Sequence, residues 1–199
     1  MLETTAPGDL VDSVVFRGDP FAGIPYVFRD TPANHDLLRT GIASVLDIGR
    51  DDVVVVGSAK VGFSMDPREF PAPFSAASDV DVVVVNAEHF DHLWQTILSW
   101  NYPSRWHLEG FDRQWQVDRR EDIYWGYFEP GRALYRGLAL PPLLRPIRDY
   151  RARWLNAFKG LSRRLELAGL DVKGRLYRTW GHARQYHADG LSKIRAGMK

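Results

Sequence analysis

The 199-residue chain contains no cysteine. That excludes disulfides and any metal centre built on thiolates. Nor is there an apolar run near the ~20 residues that a membrane-spanning helix needs. The opening stretch MLETTAPGDLVDS carries acids, with neither a basic start nor an apolar core. It does not read as a secretory signal, so a cytoplasmic protein is the expectation. Gly57 and Gly62 are spaced as in a P-loop, but no Gly-Lys-Ser/Thr follows, and a Rossmann glycine fingerprint is also missing. Internal repeats and low-complexity tracts are absent too.

What is there is an ordinary globular composition: 45% hydrophobic, 26% charged and 13% aromatic. The net charge of +1 hides an asymmetry. Residues 1–144 hold 12 Lys/Arg against 21 Asp/Glu, a net of −9, while residues 145–199 hold 14 against 4, a net of +10. A basic final segment suits a triphosphate, RNA or an acidic partner, or else a solvated helix face beside an acidic domain.

Periodicity predicts the elements. Residues 1–33 are rich in turn formers, with short strand-like pieces at 14–16 and 26–28. Asn34 caps an expected helix over 35–48, whose stripe is Leu37, Leu38, Ile42, Val45 and Leu46. Residues 53–56 read as a strand buried on both faces. Residues 62–77, with Gly62 and three prolines, read as a loop lying over whatever follows the strand. Asn86 caps a helix over 87–99 with Phe90, Leu93, Trp94, Ile97 and Leu98 on its apolar face. Across 101–142 the aromatic residues Trp106, Trp115, Tyr124, Trp125, Tyr127 and Phe128 interleave with charges and read as core. After Pro141, Pro142 and Pro146, two helical patterns follow, over 147–168 and 172–195, with Gly169 ending the first. They read as an antiparallel helix pair.

Residues 53–85 concentrate the chemistry. Four valines end in Gly57-Ser58, and a second valine run opens with Asp79-Val80-Asp81. Strand side chains alternate faces, so Asp79 and Asp81 project from the same side. Paired carboxylates there repel unless a cation lies between them. Mg²⁺ suits such a pair, with phosphate oxygens completing its shell. Gly57 admits close backbone approach, and Ser58 offers a hydroxyl and an N–H to phosphate. Together the two segments read as a site for a metal-bound nucleoside triphosphate.

This pattern resembles the nucleotidyltransferase superfamily related to DNA polymerase beta, whose signature is a Gly-Ser after one strand and an Asp-x-Asp on the next. Gly57, Ser58, Asp79 and Asp81 match it, and Ser78 matches the small polar residue common before the first Asp. The resemblance covers roughly residues 35–100. It departs in two places: twenty residues separate Ser58 from Asp79, and no third carboxylate stands on an evident later strand.

The resemblance implies an α/β (α+β) nucleotidyltransferase-like core with a small mixed sheet. That core would span 34–142, after a lead-in of 1–33 and before a helical segment of 143–199. It further implies that Asp79 and Asp81 are catalytic and coordinate Mg²⁺, one ion or two, while Gly57 and Ser58 hold the phosphates and Lys60 touches them. Nucleoside monophosphate would pass to an acceptor: an RNA end, a small molecule such as an aminoglycoside, a protein hydroxyl or a second nucleotide. Small bacterial members of the superfamily often serve in toxin–antitoxin or phage-defence modules. Candidate third carboxylates are Glu109, Asp118, Glu121 and Asp122. The alternative is a degenerate member that binds a protein or RNA partner without transfer. His89 and His92, one turn apart, lack an acidic partner at ligand spacing and read as polar-face residues. His182 and His187 are expected to face solvent.

Overall fold

The computed structural model describes residues 5–16, 23–104, 109–134, 142–163 and 169–197. Its elements in chain order begin with helix α1 (Pro7–Leu10), which continues as a π-helical turn over Val11–Phe16, and helix α2 (Pro32–Leu46). Strand β1 (Val53–Val56), helix α3 (Gly57–Val61), strand β2 (Val80–Val85) and helix α4 (Ala87–Ser104) follow. Next come helix α5 (Gly110–Tyr124), strand β3 (Tyr127–Phe128), helix α6 (Arg145–Ser162), strand β4 (Val172–Tyr177) and helix α7 (Trp180–Gly197). Trp106, Pro141 and the end of the helical pattern expected over 147–168 lie outside the described residues.

Valine is stiff at χ1 and packs well on a pleated surface, and the two valine runs form β1 and β2. They pair antiparallel with Val56 opposite Asp81. β4 joins the other edge of β2 in parallel, placing Lys173 beside Asp81 and Arg175 beside Val83. The short β3 closes the order β1-β2-β4-β3. The chain is therefore mixed α/β around a small mixed sheet.

Both faces of the sheet are covered. Val53, Val55, Val80, Val82, Val84 and Leu176 face a core shared with α2, α4 and α6. Val56, Val83, Val85 and Tyr177 face a second core made with Leu10, Val11 and Val15 and with Ala183, Leu191 and Ile194 of α7. Full burial of each valine is worth roughly 1.5–3 kcal/mol, so the valine runs anchor the sheet between two helical layers.

Several expectations are corrected. The pieces at 14–16 and 26–28 are helical turns, the second a 3-10 turn opening where Phe28 N–H reaches the Pro25 carbonyl at 2.9 Å. Three apolar residues bury as well on a helical turn as on a strand, and Val11 and Val15, four apart, both point inward. Helix α2 begins at Pro32, which stands at its first turn as proline can, so Asn34 lies inside the helix. Asn86 does cap α4, its Oδ1 accepting the His89 N–H at 2.8 Å. Helix α5 was not evident in the sequence pattern.

The largest correction concerns 172–195, where a helix was expected. Residues 172–177 are a sheet strand, and the helix starts at Trp180. Val172, Gly174 and Leu176 face α6 and the first core, alternating with Lys173, Arg175 and Tyr177 on the other face, where Tyr177 joins the second core. A Cβ on Gly174 would lie 2.4 Å from Phe158 Cζ and 3.0 Å from Trp154 Cζ2. Glycine there lets α6 press directly on the strand. The C-terminal segment is thus no helix pair; it supplies an interior strand of the sheet.

Candidate functional site

β2 is a buried strand with one interruption. Val80 and Val82–Val85 are buried, and Asp81 alone is open to water. Alternation puts Asp81 on the same face as Val83 and Val85. Its neighbours across the sheet are Val56 on β1 and Lys173 on β4.

The chain leaves β1 directly against Asp81. Gly57 adopts φ +67°, the left-handed region that favours glycine. A Cβ on Gly57 would stand 3.0 Å from Asp81 Oδ2. The backbone turn therefore favours glycine at this position, and any Cβ there would press on the Asp81 carboxylate. Ser58 follows in the first turn of α3, and its carbonyl accepts the Gly62 N–H at 2.8 Å. Ser78 accepts the Ser75 N–H at 3.0 Å, which closes the turn before β2. Gly57, Ser58, Ser78, Asp79 and Asp81 line one cavity of about 770 Å³. The loop expected over 62–77 is irregular and supplies further wall through Ser64, Met65 and Pro73, while α7 contributes Tyr186 and His187.

A second recess of about 540 Å³ shares Gly57, Asp81, Tyr186 and His187 with the first. Its polar wall also includes Glu129, Arg132, Lys159, Asp171, Lys173 and Arg175. Arg175 Nε donates to Glu129 Oε1 at 2.9 Å. Its guanidinium lies 4.8 Å from the Tyr127 ring centroid and 4.4 Å from that of Tyr186, so two rings and a carboxylate fix it. Lys173 Nζ sits 2.6 Å from Asp79 Oδ2 and 3.5 Å from Asp171 Oδ2.

These charges act on Asp81. Water reaches it from the cavity, yet protein hems in the carboxyl closely enough to push its pKa up to about 6. Burial is the main cause and the Asp79 charge the next, while Arg175 and Lys173 pull the other way. A carboxylate held in this way is electrostatically undercompensated, a state that a cation relieves. His187 is half-buried and lines both recesses rather than standing in open solvent, which corrects the expectation. Burial, with Arg175 nearby, pushes its pKa down to about 4, and its Nε2 has no hydrogen-bond partner.

The remaining sequence candidates fall elsewhere. Lys60 is buried, and its Nζ reaches the Gly23 carbonyl at 3.4 Å. It is not among the residues lining either cavity. His89 Nδ1 and the Tyr150 hydroxyl share a hydrogen bond at 3.2 Å. His92 is exposed, and His182 shares a hydrogen bond with Thr179 Oγ1 at 2.8 Å. Glu109 precedes α5, which carries Asp118, Glu121 and Asp122. Asp118 accepts from Gln114 at 2.8 Å, and Asp122 pairs with Arg119 at 3.1 Å. None of the four is among the residues lining the cavities; Glu129, which sequence reasoning missed, is. The faint signal for it was the Tyr127-Phe128 pair just before it, a short strand in disguise.

Among the described residues no group of three or more His, Cys, Asp or Glu converges as a metal cage. Mg²⁺ does not need one, since it is commonly held by one or two carboxylates plus substrate phosphates. Asp79 and Asp81 are hard oxygen donors of that kind, and the Gly57 cradle leaves Asp81 accessible. The donor set fits one such ion. Compared with known proteins, the chain matches no protein-family model, no curated protein and no solved structure.

Proposed function

We propose that this chain is a Mg²⁺-dependent nucleotidyltransferase that moves a nucleoside monophosphate from a triphosphate to an acceptor hydroxyl. The observation that carries the reading is the Gly57–Asp81 contact, with Ser58, Ser78 and Asp79 on the same cavity wall. The two halves of the sequence signature, twenty residues apart, meet at one point. The cavity volume of about 770 Å³ suits a small-molecule ligand of nucleotide size.

In this reading Asp79 and Asp81 hold the cation, which when bound neutralises developing phosphate charge and aligns the triphosphate. The hydroxyl and N–H of Ser58 face the phosphates. Lys173 and Arg175, from the basic final segment, add positive charge on the neighbouring strand. The acceptor oxygen bonds to the α-phosphorus, the bond from that phosphorus to the bridging oxygen breaks, and pyrophosphate leaves. The acceptor proton is released to solvent.

One observation favours a second reading. Where the resembled family places a third carboxylate on a later strand, β4 places Lys173 and Arg175. A chain arranged so can bind nucleotide or a partner without transferring anything. Incubation with each α-labelled nucleoside triphosphate, Mg²⁺ and a panel of RNA, protein and small-molecule acceptors separates the two. Label transfer that Asp81→Asn abolishes supports the enzyme. Tight nucleotide binding with no transfer or pyrophosphate release across the panel supports the binding protein.

A further inference from the structure

Lys173 stands at the junction of the two recesses: its side chain lines one, while its ionic partner Asp79 lines the other. The ion pair is open to water, with Lys173 48% and Asp79 39% exposed. A pair so exposed is weak and readily exchanged. Its neighbour Arg175 is the opposite case, fixed between two tyrosine rings and held by Glu129. Lysine carries three donors on a flexible stem, so it can change partners without moving the backbone.

An ammonium group on Asp79 Oδ2 weakens the hold of the same carboxylate on a divalent cation, because the two cations repel. Lys173 and a metal therefore compete for Asp79. We propose that Lys173 is a resident counter-ion on Asp79 that moves to the phosphate oxygens when a metal-bound triphosphate enters, so that the acid pair takes a metal well only together with a triphosphate. This rests on the nucleotide-binding reading above. It explains why β4 carries a cation beside Asp81: the lysine guards the carboxylates in the free protein and balances the triphosphate in the bound one. Asp171, 3.5 Å from Nζ, gives the lysine a second anchor on the rim.

The test uses Lys173→Met, which keeps the stem and removes the charge, with Lys173→Gln as a second charge-free variant. Mn²⁺ binding is read by electron paramagnetic resonance without nucleotide, and metal-free inorganic tripolyphosphate binding by calorimetry. Relative to wild type, both variants should bind Mn²⁺ about three- to fivefold more tightly and tripolyphosphate about three- to fivefold more weakly. Adding Asp79→Asn should abolish the gain in Mn²⁺ affinity. Unchanged or weaker Mn²⁺ binding in both variants, with near-ultraviolet circular dichroism showing them folded, overturns the proposal. The outcomes distinguish the two readings. A gain in Mn²⁺ affinity in a protein that transfers no nucleotide keeps the counter-ion role and removes the transferase. Label transfer by the wild type with no change in Mn²⁺ affinity does the reverse.

Discussion

Substituting Gly57 by alanine tests whether the Gly-Ser turn is built around Asp81. At φ +67° an L-residue pays a left-handed penalty of about 1–2 kcal/mol. The new Cβ would also stand 3.0 Å from Asp81 Oδ2 and 3.5 Å from Asp81 Cβ. The carboxylate must give way, and overpacking of this kind adds about 1 kcal/mol. Gly169 provides the baseline: its φ is +89° and nothing lies within 4 Å of its Cβ position. Gly169→Ala therefore carries the backbone penalty alone, about 1–2 kcal/mol, against about 2–3 kcal/mol for Gly57→Ala. Urea denaturation at pH 7 measures both. Asp81→Ala removes the opposing carboxylate, so the Gly57→Ala/Asp81→Ala double mutant should recover about 1 kcal/mol beyond additivity. Equal losses at the two glycines, together with an additive double mutant, would refute the contact.

Three further outcomes follow from the packing and the charges. Gly174→Ala should cost about 2–3 kcal/mol in urea, because its Cβ meets the Phe158 ring at 2.4 Å; a neutral effect would mean that β4 does not lie beneath α6. Asp81 and His187 bend the pH profile of stability in opposite directions. The folded pKa of Asp81 is raised from 3.8 to about 6, so its contribution favours folding at low pH and is lost as pH rises from about 4 to 6. Asp81→Asn should therefore gain on wild type across that window and stay ahead above it. His187 is lowered from 6.5 to about 4, so its contribution is present above pH 6.5 and is lost as pH falls toward 4. His187→Phe should flatten that acid limb in denaturation curves at stepped pH, and an unchanged limb would contradict the burial of the ring.

How much of this was legible in the sequence depended on how continuous the apolar signal was. The valine runs identify β1 and β2 outright, since each buries nearly every side chain. The stripes of α2 and α4 identify those helices. Helix α5 escaped because its buried side is narrow: of its described side chains, Trp115 and Arg119 are the buried ones, among many charges. β4 escaped for a different reason. Its apolar residues are broken by Lys173, Gly174 and Arg175, and Leu176 and Trp180 happen to fall at helical spacing. The packing of Phe158 on Gly174 outweighs that local pattern. Because β4 was hidden, so were Lys173 and Arg175, two of the cations that line the second recess. Gly57, Ser58, Ser78, Asp79 and Asp81 were visible because their spacing is set by strand ends. Lys60, expected beside the phosphates, lines neither recess, and its Nζ reaches the Gly23 carbonyl.

The central claim is that Gly57, Ser58, Asp79 and Asp81 form a site for a metal-bound nucleoside triphosphate. Calorimetric titration of the four ribonucleoside triphosphates with Mg²⁺, on wild type and on Asp79→Ala/Asp81→Ala, tests it most directly. The account predicts that at least one triphosphate binds the wild type and that the double variant, still folded, loses at least about tenfold in affinity, or ~1.4 kcal/mol. Binding that survives intact in the double variant, or no binding of any of the four to folded wild type, would contradict it.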